Sequence, residues 1–90
     1  MKYARITVGE VLMKITLADR IVSDSEIMEG KPTIDGTRVT VSKIVRLVAA
    51  GTTTEQICDD YPYVQPEDVA AALTFSAHEL ERTSYHALLA

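Results

Sequence analysis

Two histidines and one cysteine are the first residues of this sequence to examine for metal binding or nucleophilic catalysis. His78 and His86 are eight residues apart, and no Cys, Asp or Glu completes a ligand set with a recognised zinc spacing. Cys58 lies in an apolar stretch with no histidine near it in sequence, so we expect a small core residue rather than a nucleophile. We therefore expect a protein that is not an enzyme and that holds no metal or cofactor.

The stretch GKPTIDGTRVTV, residues 30–41, raises the question of a phosphate-binding loop. It has neither GxGxxG nor GxxxxGK[ST], the spacings with which glycines let a backbone surround phosphates. Asp35-Gly36 is instead a preferred dipeptide of a type I′ hairpin turn, and Pro32 fits an edge strand because it cannot donate to a ladder. Gly30, Pro32, Asp35 and Gly36 are therefore predicted to be structural turn residues of a tight hairpin.

Charge is divided unevenly along the chain. Residues 1–50 hold eight Lys or Arg and six Asp or Glu, a balance of +2, whereas residues 51–90 hold one Arg and seven Asp or Glu, a balance of −6. A basic cluster forms if the hairpin packs beside the helix that follows it, and its members are Lys31, Arg38, Lys43 and Arg46. These four are candidate contacts to DNA or to a partner protein, and the alternative is a solvated face of scattered charge.

The composition predicts a single cytoplasmic domain. Hydrophobic residues make up 47% and charged residues 24% of the ninety residues, which is typical of a globular chain. The single cysteine cannot form an internal disulfide, and no segment has the pattern of a secretory signal. The longest uncharged stretch, residues 69–78, is shorter than the ~18–20 apolar residues that span a bilayer, so we expect no membrane contact.

Short strands are predicted to precede the helices. Apolar residues alternate on both sides of Gly9-Glu10 and predict an N-terminal hairpin over residues 4–15, with a helix over residues 11–17 as the alternative. After Val41 the apolar period moves toward 3.6, so Ser42 can cap a first helix that Gly51 ends. The apolar stripe of this helix comprises Ile44, Val45, Leu47 and Val48.

Two further helices are predicted in the second half of the chain. Residues 53–56 form a capping box for a short helix that runs to about Asp60, and Pro66 suits the first turn of a third helix. The predicted buried stripe of the third helix is Val69, Leu73, Ser76 or Ala77, and Leu80. The connection over residues 61–65 resembles the turn of a helix-turn-helix. The fold class is therefore mainly α with a small β part, a three-helix core preceded by a β-hairpin.

Phe75 is expected to lie off that stripe, on the side of the third helix that carries His78 and Arg82. An exposed aromatic residue of this kind can anchor an interface, although single exposed apolar residues are also common. Tyr85 lies in the C-terminal tail of residues 83–90, which either docks on a surface or is frayed. The candidate protein interface is therefore Phe75, His78, Arg82 and Tyr85.

Several runs between residues 19 and 82 match the pattern of one known family. The matching runs are Arg20-Ile21-Val22, Ile27-Met28-Glu29-Gly30-Lys31-Pro32, Ile34-Asp35-Gly36-Thr37-Arg38-Val39-Thr40-Val41, Ala49-Ala50-Gly51, Tyr61-Pro62 and Glu67-Asp68-Val69-Ala70-Ala71-Ala72-Leu73. On these residues the chain resembles the DUF433 family, small prokaryotic proteins with a homeodomain-like, winged helix-turn-helix-type fold. The resemblance covers roughly two thirds of the chain and leaves residues 1–18 as an N-terminal extension, expected to be β-strands, before the domain of residues 19–82.

What the resemblance implies is an antitoxin of a type II toxin–antitoxin pair. Members of the family look like proteins that bind and silence a PIN-like nuclease encoded beside them, with binding to their own operator as a further option. An acidic helical surface on this chain would complement the basic RNA track of such a nuclease. The alternative is a transcriptional regulator that binds DNA directly through its helix-turn-helix.

Charge argues against strong DNA binding by the chain alone. Glu67 and Asp68 stand at the start of the helix that would enter the major groove, and Arg82 is the only cation of residues 51–90. DNA contact is more readily expected from the hairpin and the first helix, in a homodimer that doubles the basic patch. The apolar N-terminal strands offer another route to a dimer, by pairing across a two-fold axis.

Overall fold

A computed structural model describes residues 13–84 of the chain as a three-stranded antiparallel sheet followed by three helices. The strands, in the order in which they lie across the sheet, are β1 (Lys14–Ala18), β2 (Ile21–Asp24) and β3 (Thr33–Ile34). The helices are α1 (Val41–Ala49), α2 (Thr54–Asp60) and α3 (Pro66–Arg82). The predicted class, mainly α with a small β part, is confirmed.

The first hairpin joins β1 to β2 through the two residues Asp19 and Arg20. Its register sets Lys14 opposite Asp24 and Thr16 opposite Val22, with an irregularity before Ala18. The hairpin predicted around Gly9-Glu10 lies mainly outside the described residues, and the alternative helix over 11–17 is wrong where the structure describes it, because residues 14–17 are strand. The turn between β1 and β2 contains no glycine, and Arg20 adopts the left-handed conformation there with φ of 68°.

The second hairpin is the tight turn predicted from Asp35-Gly36. The backbone N–H of Thr37 donates to the carbonyl of Ile34 at 3.0 Å and closes the turn. A positive φ occurs at Gly36 (82°) but not at Asp35, which is the pattern of a type II turn, so the predicted type I′ turn is wrong. Asp35 keeps an ordinary backbone conformation because only the second central position of this turn needs the freedom of glycine. Pro32 precedes the edge strand β3, as predicted.

Helix α1 begins at Val41, two residues earlier than a cap at Ser42 would imply. The side-chain oxygen of Thr40 accepts from the backbone N–H of Lys43 at 3.0 Å, so Thr40 is the N-cap and the predicted cap Ser42 lies inside the first turn. Thr40 can cap because its backbone is still extended, held by pairing with Thr33 of β3. The last helical residue is Ala49, and Gly51 terminates the helix as predicted, with φ of 89°. The N–H groups of residues 51 and 52 donate to the carbonyls of residues 48 and 47.

Helices α2 and α3 begin at the predicted signals. Thr53 and Gln56 form a reciprocal capping box at the start of α2. Pro66 lies in the first turn of α3, whose N-cap is Gln65. Between the helices, the N–H of Val64 donates to the carbonyl of Tyr61 at 2.8 Å, and the side chain of Val64 is buried. The connection is therefore a defined turn that packs into the core.

The core lies between the sheet and the helices. Its largest fully buried apolar side chains are Ile21, Ile34, Ile44, Ile57 and Val64. On α3 the buried apolar positions are Val69, as predicted, and Ala72, whereas Leu73 is 38% exposed and Leu80 is 66% exposed. The predicted stripe through Leu73 and Leu80 is therefore wrong, because the small Ala72 rather than a leucine faces the core and lets α3 pack closely.

Candidate partner-binding groove

An open groove of about 610 Å³ runs between α1 and the second half of α3. Val41 and Val45, one turn apart on α1, form one side of its floor, and Phe75 and Leu80 of α3 form the other. Ser76 also lines the groove, but its hydroxyl donates to the carbonyl of Ala72 at 2.9 Å. The floor therefore presents apolar surface with its polar group already satisfied.

Charged side chains stand along the edges of the groove. Lys31 and Arg46 line it with Glu79. Glu79 is paired with Arg82 at 2.9 Å, whereas Arg46 has no ion pair within residues 13–84. Lys31 lies 3.9 Å from Glu29, and both side chains are exposed, so their attraction is largely screened by water. The charge that remains available to a binding partner at this groove is therefore positive.

Three of the four basic candidates line two different surfaces, and Lys31 lines both of them. Lys31 and Arg46 line the α1–α3 groove, whereas Lys31 and Arg38 line a separate depression beside Met28. In that depression, the Arg38 guanidinium lies 3.9 Å from the sulfur of Met28. Lys43 is exposed on α1 and lines neither surface. The basic patch expected from the sequence is therefore divided, and one half of it borders an apolar groove.

The interface candidates on α3 differ in their surroundings. Phe75, predicted to be exposed, is half-buried and packs against the core, because the buried face of α3 passes through Ala72 rather than Leu73. Phe75 lines the groove on one side and, on the other, a depression that also contains His78. Arg82 is exposed and occupied by its ion pair with Glu79. Tyr85 lies outside the described residues.

A left-handed turn precedes the predicted turn residue Gly30. Met28, Glu29 and Gly30 have φ of 50°, 59° and 79°, so three consecutive residues occupy a region that non-glycine residues rarely adopt. The carbonyl of Gly30 accepts from the Ser23 hydroxyl at 2.6 Å, which fixes the turn to β2. Glycine at position 30 was the only sequence signal for this conformation, and it did not identify the two residues before it.

Asp68 has a role that the sequence analysis missed. Its side chain is 8% exposed, and its Oδ1 accepts from the Arg20 guanidinium at 3.0 Å. Its Oδ2 accepts from the N–H of Gln65 at 2.8 Å, which closes the capping box of α3. The hydrogen bond to Asp68 raises the pKa of Arg20. Asp68 does lie at the start of α3, but both of its carboxylate oxygens are bound within the fold, so Glu67 is the exposed carboxylate of the two. The spacing of residues 65 and 68 was the available signal for the capping box.

Comparison with known proteins identifies the family. The model of the family described as "Protein of unknown function (DUF433)" matches residues 21–76. The chain belongs to the DUF433 family. The match covers β2, β3, α1, α2 and most of α3. It ends at Ser76, so the groove residues Glu79 and Leu80 follow the matched region.

One solved structure is similar to this DUF433 chain. The X-ray crystal structure of Rv2018 from Mycobacterium tuberculosis has a TM-score of 0.62 and 25% sequence identity to it. The similarity covers 79% of this chain and 35% of that chain, so this chain spans about a third of the length of Rv2018. Comparison with curated proteins gives no match.

The connection between α2 and α3 of the DUF433 domain carries an acidic and aromatic surface. Asp59 and Asp60 end α2, Glu67 begins α3, and all three are exposed. Tyr63 between them is 60% exposed, and its ring lies edge-on to that of Tyr61 with the centroids 6.4 Å apart. The exposed charge next to this turn is therefore negative, apart from Arg20, which is occupied by Asp68.

Among residues 13–84, no group of three or more His, Cys, Asp and Glu side chains is placed to hold a metal ion. Within the same residues, no helix has both the length and the apolar character needed to cross a bilayer.

Proposed function

We propose that this DUF433 chain is a non-enzymatic, antitoxin-like module that binds a PIN-like nuclease and covers its basic RNA track. The observation that carries the proposal is the acidic surface of the α2–α3 connection, formed by Asp59, Asp60 and Glu67. A nuclease that holds RNA needs a positive track, and an exposed negative surface attracts such a track while repelling nucleic acid.

The exposed aromatic ring at this surface supports the same function. Tyr63 lies in sequence between Asp60 and Glu67, on a turn in which the Val64 N–H donates to the Tyr61 carbonyl, and it is 60% exposed. Tyrosine adds contact area at a small entropic cost and can stack on an arginine of the partner. The carboxylates and the Tyr63 ring would thus take the places that the phosphates and bases of RNA occupy on the nuclease.

A direct DNA-binding regulator is the second candidate. Two helices joined by a turn with a buried Val64 fit a homeodomain-like helix-turn-helix, in which α3 would enter the major groove. The exposed Glu67 at its start opposes phosphate, and Arg82 near its end is paired with Glu79. DNA binding would then depend on Lys31, Arg38, Lys43 and Arg46, with a homodimer supplying a second set.

Co-expression with the product of the adjacent gene, which the proposal expects to be a PIN-like nuclease, tests the first candidate. The two proteins are purified together at moderate salt, and cleavage of RNA by the nuclease is measured with and without this chain. The test variant is Asp59→Asn, Asp60→Asn, Glu67→Gln. The control removes the same charge from three other exposed residues, as Glu26→Gln, Glu29→Gln, Glu81→Gln.

We expect the test variant to lose co-purification and inhibition while the control retains both. Separate elution of the two wild-type proteins, or equal inhibition by the two variants, would contradict the proposal. A gel shift with the promoter of the gene distinguishes the second candidate. Tight, salt-sensitive binding of duplex DNA by this chain alone would favour the regulator.

A further inference from the structure

We infer that the α1–α3 groove binds a short amphipathic helix of a partner protein, with apolar side chains on one face and an acidic residue at its edge. This inference rests on the proposed function, because it assigns a second contact to the same protein partner. The groove lies on α1 and the second half of α3, whereas the acidic surface lies at the start of α3 and the end of α2. The two contacts would therefore use different surfaces.

The dimensions of the groove favour a helix of a few turns. Helix α1 has nine residues, which corresponds to about 13 Å at 1.5 Å per residue, the rise of two to three helical turns. A helix laid beside α1 and α3 would place side chains at positions i, i+3 or i+4, and i+7 on the floor between Val45 and Phe75. Leu80, which is 66% exposed, would be covered by such a helix.

The charge at the groove determines the polarity of its occupant. Lys31 and Arg46 line it, and Arg46 has no ion pair among residues 13–84. Glu79, the acidic residue of the groove, is already neutralised by Arg82. An occupant with Glu or Asp facing Arg46 gains an ion pair next to apolar surface, whereas Lys at the same place would be repelled. The groove thus selects an acidic helix even though the chain as a whole carries a net charge of −4.

Two synthetic peptides test this assignment without the nuclease. Both have about 14 residues with leucine at i, i+4 and i+7, and they differ only in carrying Glu or Lys at the flanking positions. Each is titrated into the isotope-labelled full chain, and the amide and methyl resonances are followed by NMR. We expect the Glu peptide to shift the resonances of Val45, Phe75 and Leu80, with an affinity at least about tenfold above that of the Lys peptide.

Three variants make the test specific. Leu80→Ser should weaken binding of the Glu peptide at least about tenfold, whereas Leu73→Ser, at an exposed leucine of α3 outside the groove, should leave it within about twofold. Arg46→Glu should reverse the preference, so that the Lys peptide binds better. Since Leu80 and Arg46 are exposed, these variants should fold, and thermal unfolding checks that they do.

The inference and the proposed function can fail separately. No shift with the Glu peptide, equal shifts with both peptides, or an unchanged preference in Arg46→Glu would overturn the groove assignment. A wild-type dimer in light scattering that Leu80→Ser converts to a monomer would also overturn it, because the groove would then hold a second copy of this chain. Failure of nuclease inhibition with an intact peptide preference would overturn only the proposed function.

Discussion

The Arg20 guanidinium donates to the Asp68 carboxylate at 3.0 Å and joins the turn of the first hairpin to the first turn of α3, 48 residues later. The same carboxylate accepts from the N–H of Gln65, so one side chain both caps the helix and fixes it to the sheet. Arg20 is at a left-handed position, which aims its side chain from the tip of the turn. This contact helps to hold the start of α3 against the first hairpin, together with the buried Val69 and Ala72.

Replacing Asp68 by alanine should lower the free energy of unfolding by about 1–2 kcal/mol, because it removes the cap of α3 and leaves Arg20 without its partner. Urea denaturation followed by circular dichroism measures the change. Glu67→Ala is the matched control, since Glu67 is the neighbouring acidic residue and is exposed, and it should change stability by less than about 0.5 kcal/mol. Equal losses in the two variants would show that Asp68 has no special role.

Local signals in the sequence predicted the helices better than the strands. The capping box of α2, Pro66 at the start of α3 and Gly51 at the end of α1 each act within about one helical turn, so a short window of sequence contains the whole interaction. The pairing of β1 with β2 is not marked by any comparable short sequence signal. Gly9-Glu10 is a stronger turn signal than Asp19-Arg20, because Arg20 takes a left-handed conformation that residues other than glycine rarely adopt.

Thr40→Ala should destabilise the fold by about 1 kcal/mol, because the N–H of Lys43 loses its acceptor at the start of α1. Ser42→Ala, two residues later, should have little effect, since Ser42 lies in the first turn and does not cap the helix. Thermal unfolding of the two variants compares them directly. A greater loss from Ser42→Ala would restore the cap that the sequence alone suggested.

The candidate groove could not be assembled from sequence, although three of its residues were identified. Lys31, Arg46 and Phe75 were separate candidates, and only the packing of α1 on α3 brings them to one surface. That packing depends on Ala72, whose small side chain faces the core in place of the larger Leu73. A prediction from the spacing of large apolar residues places Leu73 in the core. Close packing of two helices instead favours a small residue such as Ala72 at the contact.

Glu29→Gly should raise the free energy of unfolding by about 0.5–1 kcal/mol. Glu29 has φ of 59°, a conformation that strains a residue with a Cβ and that glycine adopts freely. Its side chain is 88% exposed and contributes only the 3.9 Å contact to Lys31, so little is lost with it. Chemical denaturation measures the gain. Glu26→Gly is the control, because Glu26 is exposed without a positive φ and should lose stability.

The thiol of Cys58 should be protonated at neutral pH, so it should react slowly with alkylating agents. Burial raises the pKa of the Cys58 thiol, and the negative charges of Asp59, Asp68 and Glu67 raise it further. Since the thiolate is the nucleophile, alkylation by iodoacetamide should be slower than for a free cysteine and should accelerate only above the ordinary thiol pKa of about 8.5. A pH–rate profile measures this, and a midpoint at or below the ordinary value would contradict it.

The same raised pKa predicts the direction in which stability changes with pH. A folded-state pKa above the unfolded value means that the native thiol holds its proton more tightly, so this contribution to stability is complete below the unfolded pKa. It is lost as the pH rises from the unfolded pKa through the higher folded pKa. Unfolding of the wild type at alkaline pH should therefore be easier than that of Cys58→Ala, once each is compared with its own stability at pH 7. Parallel pH dependence in the two proteins would show that Cys58 does not cause the loss.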